Sequence, residues 1–170
     1  MKIIIASVLF FLLTNSSGFA QGGEVYDVEF HFEHSMRIPY HSVDVKINRH
    51  GQVVTVTVKV QPGSDEEQWA KGKIDTTFVI SQEKFQQVIN SVKKIAVSDI
   101  IKNIGYLGFD GSTGEIMFGD YGNSITYKTF TPESETEKRG LTDFMNACEE
   151  IIKAGGLKPD VVFATKGGRR

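Results

Sequence analysis

Residues 43–60 read Val43-Asp44-Val45-Lys46-Ile47-Asn48-Arg49-His50-Gly51-Gln52-Val53-Val54-Thr55-Val56-Thr57-Val58-Lys59-Val60. Val43, Val45 and Ile47 alternate with Asp44, Lys46 and Asn48, and Val54, Val56, Val58 and Val60 alternate with Thr55, Thr57 and Lys59. An apolar period of two puts one face of each strand in a core and the other in water. Asn48-Arg49-His50-Gly51 lies between the runs, and a short Asn- and Gly-bearing connection between alternating runs predicts an antiparallel hairpin. The β-branched content of both runs favours the extended backbone.

The pattern extends outward in both directions. Upstream, Tyr26, Val28, Phe30 and Phe32 alternate with Asp27, Glu29, His31 and Glu33, predicting another half-buried strand. Pro39 cannot donate to a ladder, so residues 36–41 are expected to form a bend or a sheet edge. Downstream, the polar stretch from Gln61 to Lys73 contains Pro62-Gly63 and reads as a loop before a fourth strand, Ile74 to Ile80. Ser81 is expected to cap a helix on which Phe85, Val88, Ile89 and Val92 share one face. Ser98-Asp99 is expected to cap a short helix ending near Asn103. Glycine-rich residues 105–114 read as a loop, and residues 115–118 and 124–130 as a second hairpin around Gly119-Asp120-Tyr121-Gly122-Asn123. Leu141, Phe144, Met145, Cys148, Ile151 and Ile152 make a helical stripe, with Gly155-Gly156 as its stop and Pro159 preventing continuation. Residues 160–164 are compatible with one further short strand, outside the main order. The order β-β-β-β-α-β-β-α predicts an α+β domain: an antiparallel sheet of about six strands with two main helices packed on one face.

The N-terminus carries different information. Lys2 precedes the apolar run Ile3 to Leu13, followed by a polar segment ending Gly18-Phe19-Ala20. Small residues at −3 and −1 predict signal-peptidase cleavage after Ala20. The run is about half the ~20 apolar residues a spanning helix needs, so no membrane span is expected once it is removed. The segment resembles Gram-negative secretory signals, especially those ending in phenylalanine-alanine-glutamine, which implies a periplasmic or secreted protein. No Cys stands near the cut, so a lipoprotein is not expected. The predicted organisation is a signal peptide over residues 1–20, a single α+β domain over 21–164 and a flexible basic tail over 165–170. Cleavage leaves 150 residues and moves the net charge from −2 to −3, enough chain to build a sufficient core without disulfides.

Composition excludes several classes. One Cys among 170 residues leaves no disulfide framework and no Cys-rich zinc module. A near-balanced charge gives no electrostatic footprint for nucleic acid. No Gly-x-Ser-x-Gly elbow is present, and Cys148, within an apolar stripe, reads as a buried structural thiol. Glu29, His31 and Glu33 share a strand face and are weak metal candidates, with no metal-ligand spacing to support them. No cofactor motif is found, since the glycines have neither phosphate-loop nor dinucleotide spacing.

What remains is aromatic. Trp69 stands in the polar loop Asp65-Glu66-Glu67-Gln68-Trp69, Tyr106 and Phe109 in the glycine-rich loop, and Tyr121 at a hairpin tip. Trp and Tyr bury much area at small entropic cost and serve as interface anchors. The sequence therefore reads as a small exported, non-enzymatic domain binding a protein partner in the cell envelope, as an inhibitor, immunity-type or accessory protein. The alternatives are a small-ligand pocket between sheet and helices, and a metal-dependent hydrolase built on the first strand. A monomer or weak dimer is expected.

Overall fold

A computed structural model describes residues 25–34, 40–62, 72–103 and 111–163. The signal segment, the basic tail, Pro39, Trp69, Tyr106 and Phe109 lie outside the described residues. The elements are β1 (Asp27–His34), β2 (Tyr40–His50), β3 (Val53–Pro62), β4 (Ile74–Ile80), α1 (Gln82–Val92), α2 (Val97–Ile101), β5 (Ser112–Gly119), β6 (Ser124–Phe130), α3 (Thr142–Ala154) and α4 (Pro159–Val162).

The strands form one antiparallel six-stranded sheet in the order β4-β3-β2-β1-β5-β6. This is the expected α+β arrangement. Of residues 36–41, expected at a bend or an edge, only Tyr40 and His41 are among the described residues; Tyr40 pairs with Pro62, and the register shifts between Tyr40 and Ser42. Strand β5 returns along the free side of β1, which leaves β4 and β6 outermost.

Register explains the burial. Val28 faces Ile47, Phe30 faces Val45 and Phe32 faces Val43, while Val45 and Ile47 in turn face Val58 and Val56. All of these side chains are buried, and each stabilises the fold by roughly 1.5–3 kcal/mol relative to exposure. On this face lie the helices. Ser81 Oγ accepts from Lys84 N at 3.1 Å and starts α1 as expected. Phe85, Val88, Ile89 and Val92 of α1 and Phe144, Ala147, Cys148, Ile151 and Ile152 of α3 complete the core. Met145 is only half-buried, and Ala147 takes its place in the stripe.

Two glycines let α3 end against the sheet. Gly156, at φ 72°, occupies the left-handed position of a Schellman stop. Its N–H donates to Lys153 O at 3.0 Å, and Leu157 N donates to Ile152 O at 3.1 Å. Gly155 needs no unusual angle; a Cβ there would lie 3.2 Å from Cγ2 of both Val45 and Val58. Its missing side chain is what allows the helix end to reach β2 and β3.

Three local expectations change. Ala96, not Ser98-Asp99, occupies the cap position of α2, and it makes no side-chain cap bond; both polar residues fall inside the first turn. Strand β5 begins at Ser112, within the segment that reads as loop, because Ser112 and Gly114 face the core. Residues 160–163, which are compatible with a short strand, add none. Pro159 is pre-set for a first helical turn, and Val162 N donates to Lys158 O at 3.1 Å, giving the short helix α4. Among the described residues no helix is long and apolar enough to cross a membrane.

Candidate functional site

At one end of the sheet the β5–β6 turn comes beside the β2–β3 turn. The first is shaped by Asp120. Its N–H donates to Asn123 O at 2.8 Å, and its Oδ1 accepts from the backbone N–H groups of Gly122 at 2.9 Å and Asn123 at 2.8 Å. These bonds, that from Gly122 foremost, hold the Asp120 carboxyl below its ordinary range. An aspartate bonded to the backbone two residues on is a strong turn former. It fixes the neighbouring Tyr121 at the tip.

Tyr121 is 74% exposed yet is held. Its hydroxyl and His50 Nδ1 share a hydrogen bond of 3.1 Å. Its ring lies 5.6 Å from that of Tyr26, tilted by 31°. Tyr26 is itself anchored, donating from its N–H to Gly119 O and accepting from Arg49 N, both at 2.8 Å. The Arg49 guanidinium lies 4.7 Å from the Tyr26 ring centroid and 5.6 Å from that of Phe85, which is buried. A continuous stack thus runs from the core through Phe85, Arg49 and Tyr26 to Tyr121 in solvent. Cation–π attraction between the guanidinium and the two rings helps to hold it together.

Apolar surface surrounds the tip. Val53 lies opposite His50 in the β2–β3 register and is 51% exposed. Beside the β5–β6 turn a groove of about 240 Å³ is bordered by Val25, Phe118 and Ile125, with Lys93 and Asp120 also lining it. Ile125 is 49% exposed.

The open face of the sheet carries the charged positions. Register aligns Asp75, Lys59, Asp44, His31, Glu115 and Lys128 in one row across all six strands. His31 Nδ1 donates to Asp44 Oδ1 at 2.7 Å, and its Nε2 lies 3.8 Å from Glu33 Oε2. Glu33 Oε1 is also 3.5 Å from His41 Nε2, and His41 Nδ1 donates to His34 O at 2.8 Å. Glu29, grouped with His31 and Glu33 as a weak metal candidate, pairs instead with Lys46 at 2.8 Å. The two-residue offset puts Glu29 on the same face as His31 but one ladder row away, opposite a lysine. Among the described residues no three His, Cys, Asp or Glu side chains are placed to hold a metal ion.

The space between sheet and helices is filled by the core side chains. The larger groove, about 410 Å³, lies between α1 and α3, lined by Gln87, Asn90, Asn146 and charged residues including Asp143 and Lys153. Cys148 is fully buried, and burial pushes its thiol well above the ordinary range.

Of the four sequence-predicted partner residues, Tyr121 is among the described residues and stands at the hairpin tip. Its supports, Tyr26, Arg49 and His50, escape sequence reading because strand pairing, not spacing, brings them together. The Asp-x-Gly-Asn turn is the one local signal for the site. The chain matches no protein-family model and no curated protein.

Proposed function

We propose that this chain is a small exported, non-enzymatic domain that binds a protein partner in the cell envelope through the β5–β6 hairpin end. The observation that carries the reading is Tyr121: three-quarters exposed, yet fixed in place by His50 and Tyr26. An exposed aromatic normally loses rotamer freedom on binding. One already held loses less, so preorganisation adds to affinity. Val53 and the groove beside Ile125 supply apolar contact around it, with Lys93 and Asp120 at the margin. That arrangement suits an interface with an aromatic anchor and a polar rim. The predicted signal segment supports a periplasmic or secreted location, where a partner of envelope origin would be met.

The test is affinity capture from envelope and secreted extract, using wild-type protein and Tyr121→Ala in parallel, read by quantitative mass spectrometry. The reading expects a stoichiometric partner that Tyr121→Ala loses while its melting temperature stays within a few degrees. Equal capture by both proteins, or unfolding of Tyr121→Ala, counts against it. Trp69→Ala in the same format tests whether the acidic loop joins the interface.

A further inference from the structure

The two edges of the sheet are built differently. At β6, Arg139 donates to Phe130 O at 2.8 Å, to Thr131 O at 2.6 Å and to Thr129 Oγ1 at 3.4 Å. Thr131 turns the chain away at φ 45°, Lys128 projects from mid-strand, and α2 packs beside the strand. These are the usual devices by which proteins blunt an edge. Among the described residues β4 has none of these devices beyond the single charge of Asp75. Its sequence, Ile74-Asp75-Thr76-Thr77-Phe78-Val79-Ile80, has no lysine and no proline. It pairs with β3 without a bulge through Ile74–Val60 to Ile80–Val54. Among the described residues nothing pairs with its outer side.

We infer that β4 is a self-pairing edge: two copies of this chain join β4 to β4 antiparallel, making one twelve-stranded sheet from two six-stranded ones. The sequence is suited to a two-fold axis at its midpoint, Thr77. In that register Ile74 meets Ile80 of the second copy, Thr76 meets Phe78, Thr77 meets Thr77 and Asp75 meets Val79. All seven residues of the strand are used. Strand alternation places Ile74, Thr76, Phe78 and Ile80 on the helix side, so that side of the seam carries two isoleucine pairs and two threonine–phenylalanine pairs. Ile74, Phe78 and Ile80 are half-buried in the single chain and would lose more water on pairing. On the open side, Thr77 Oγ1 already bonds Thr57 Oγ1 at 3.0 Å, and the axis extends this into a four-threonine row. The one charge in the strand, Asp75, meets Val79 and not its own copy, so no like charges oppose. Val79, 65% exposed, gains a neighbour. A foreign extended peptide would satisfy the same backbone groups, but the isoleucines at both ends of the strand, which meet each other across the seam, and Asp75, which meets Val79 rather than its own copy, favour a second copy. An isologous contact of this kind closes at two. The seam lies on the edge opposite β6 and does not depend on the hairpin-end reading.

The experiment uses the full chain expressed with its own leader and purified in the form that accumulates. Sedimentation velocity across low to high micromolar protein should show a reversible monomer–dimer equilibrium. Thr77→Lys sets two ammonium groups against each other at the axis and should weaken dimerisation at least tenfold, with an unchanged circular dichroism spectrum. Thr77→Cys adds a thiol exposed at the axis, while Cys148 is buried, so mild oxidation should link two copies covalently through residue 77. Asp75→Cys should not link. Its two copies lie four residues apart along the seam, about 14 Å, beyond the ~7 Å a disulfide spans. A monomer at every concentration would overturn the inference. So would a dimer indifferent to Thr77→Lys, or equal cross-linking at 75 and 77. Should Thr77→Lys fail to fold, the cysteine pair decides alone.

Discussion

Gly155 and Gly156 are adjacent but serve α3 for different reasons, and substitution separates them. Alanine at position 155 keeps an ordinary backbone angle, φ −73°. Its Cβ, however, would stand 3.2 Å from two valine methyl groups and 3.3 Å from Ile152 O, inside the ~3.5–4.0 Å optimum for carbon contacts. Val45 and Val58 are fully buried on interior strands and have little room to retreat. Overpacking of this kind costs about 1–3 kcal/mol, offset by roughly 0.4–1 kcal/mol from a less flexible unfolded chain. The expected net loss is therefore about 1–2 kcal/mol, a fall in melting temperature of roughly 2–8 °C for a domain of this size. Alanine at position 156 meets only ordinary contact, Phe78 Cζ at 3.9 Å, but must adopt φ 72°, costing about 1–2 kcal/mol. The totals are similar, so the discriminating assay is a double-mutant cycle with Val58→Ala, followed by urea denaturation. Removing the Val58 methyls relieves the crowding that Gly155→Ala creates and should give a favourable coupling of about 1 kcal/mol, whereas with Gly156→Ala the effects should add within about 0.5 kcal/mol. Additivity in the Gly155 cycle, or a stabilised Gly155→Ala, would refute the close-approach argument.

Thr131 holds φ 45° and its Oγ1 is buried with no hydrogen-bond partner among the described residues; Thr131→Gly removes both penalties and should raise the melting temperature, corresponding to a net gain of about 1 kcal/mol after the entropic cost of glycine. Cys148 should resist a thiol reagent in the native protein and react only as fast as the domain opens, since burial both hides it and disfavours its thiolate; stoichiometric labelling of folded protein would contradict this. At Glu150, partial burial opposes ionisation, but hydrogen bonds from Lys84 and Lys153 prevail and hold the carboxyl below its ordinary range. Because the folded-state value is the lower one, its contribution is present above the unfolded glutamate range and is lost as pH falls through the folded-state value. Glu150→Gln should flatten that part of the stability–pH curve, and an unchanged acid limb would count against the Lys84–Glu150–Lys153 linkage.

The fold is largely legible because the decisive elements repeat their pattern. The valine alternation of residues 53–60 admits one reading, and so does the helical stripe of α3. Sheet order is not legible, since no local feature of Ser112–Gly119 says that it will pair with β1. That same long-range pairing decides which strands are outermost. It also hides Tyr26, Arg49 and His50 as supports of Tyr121. Tyr121 itself can be read, because a hairpin tip is a local property and the Asp120 turn is encoded in four consecutive residues. Residues 160–163 are ambiguous in the sequence for a related reason. A short apolar run after a proline suits either a strand or a helical turn, and packing decides: Phe163 meets Phe32 edge-on, with ring centroids 5.2 Å apart.

The most direct measurement on the hairpin-end account is the affinity of the captured partner for wild type, Tyr121→Phe and Tyr121→Ala, determined by calorimetry alongside melting temperatures. The account predicts that Tyr121→Ala loses about 2 kcal/mol of binding, roughly thirtyfold, without loss of fold. Tyr121→Phe should lose only a few-fold, keeping the ring but not the bond to His50. Affinities for all three within twofold of one another would contradict the claim that Tyr121 is the anchor.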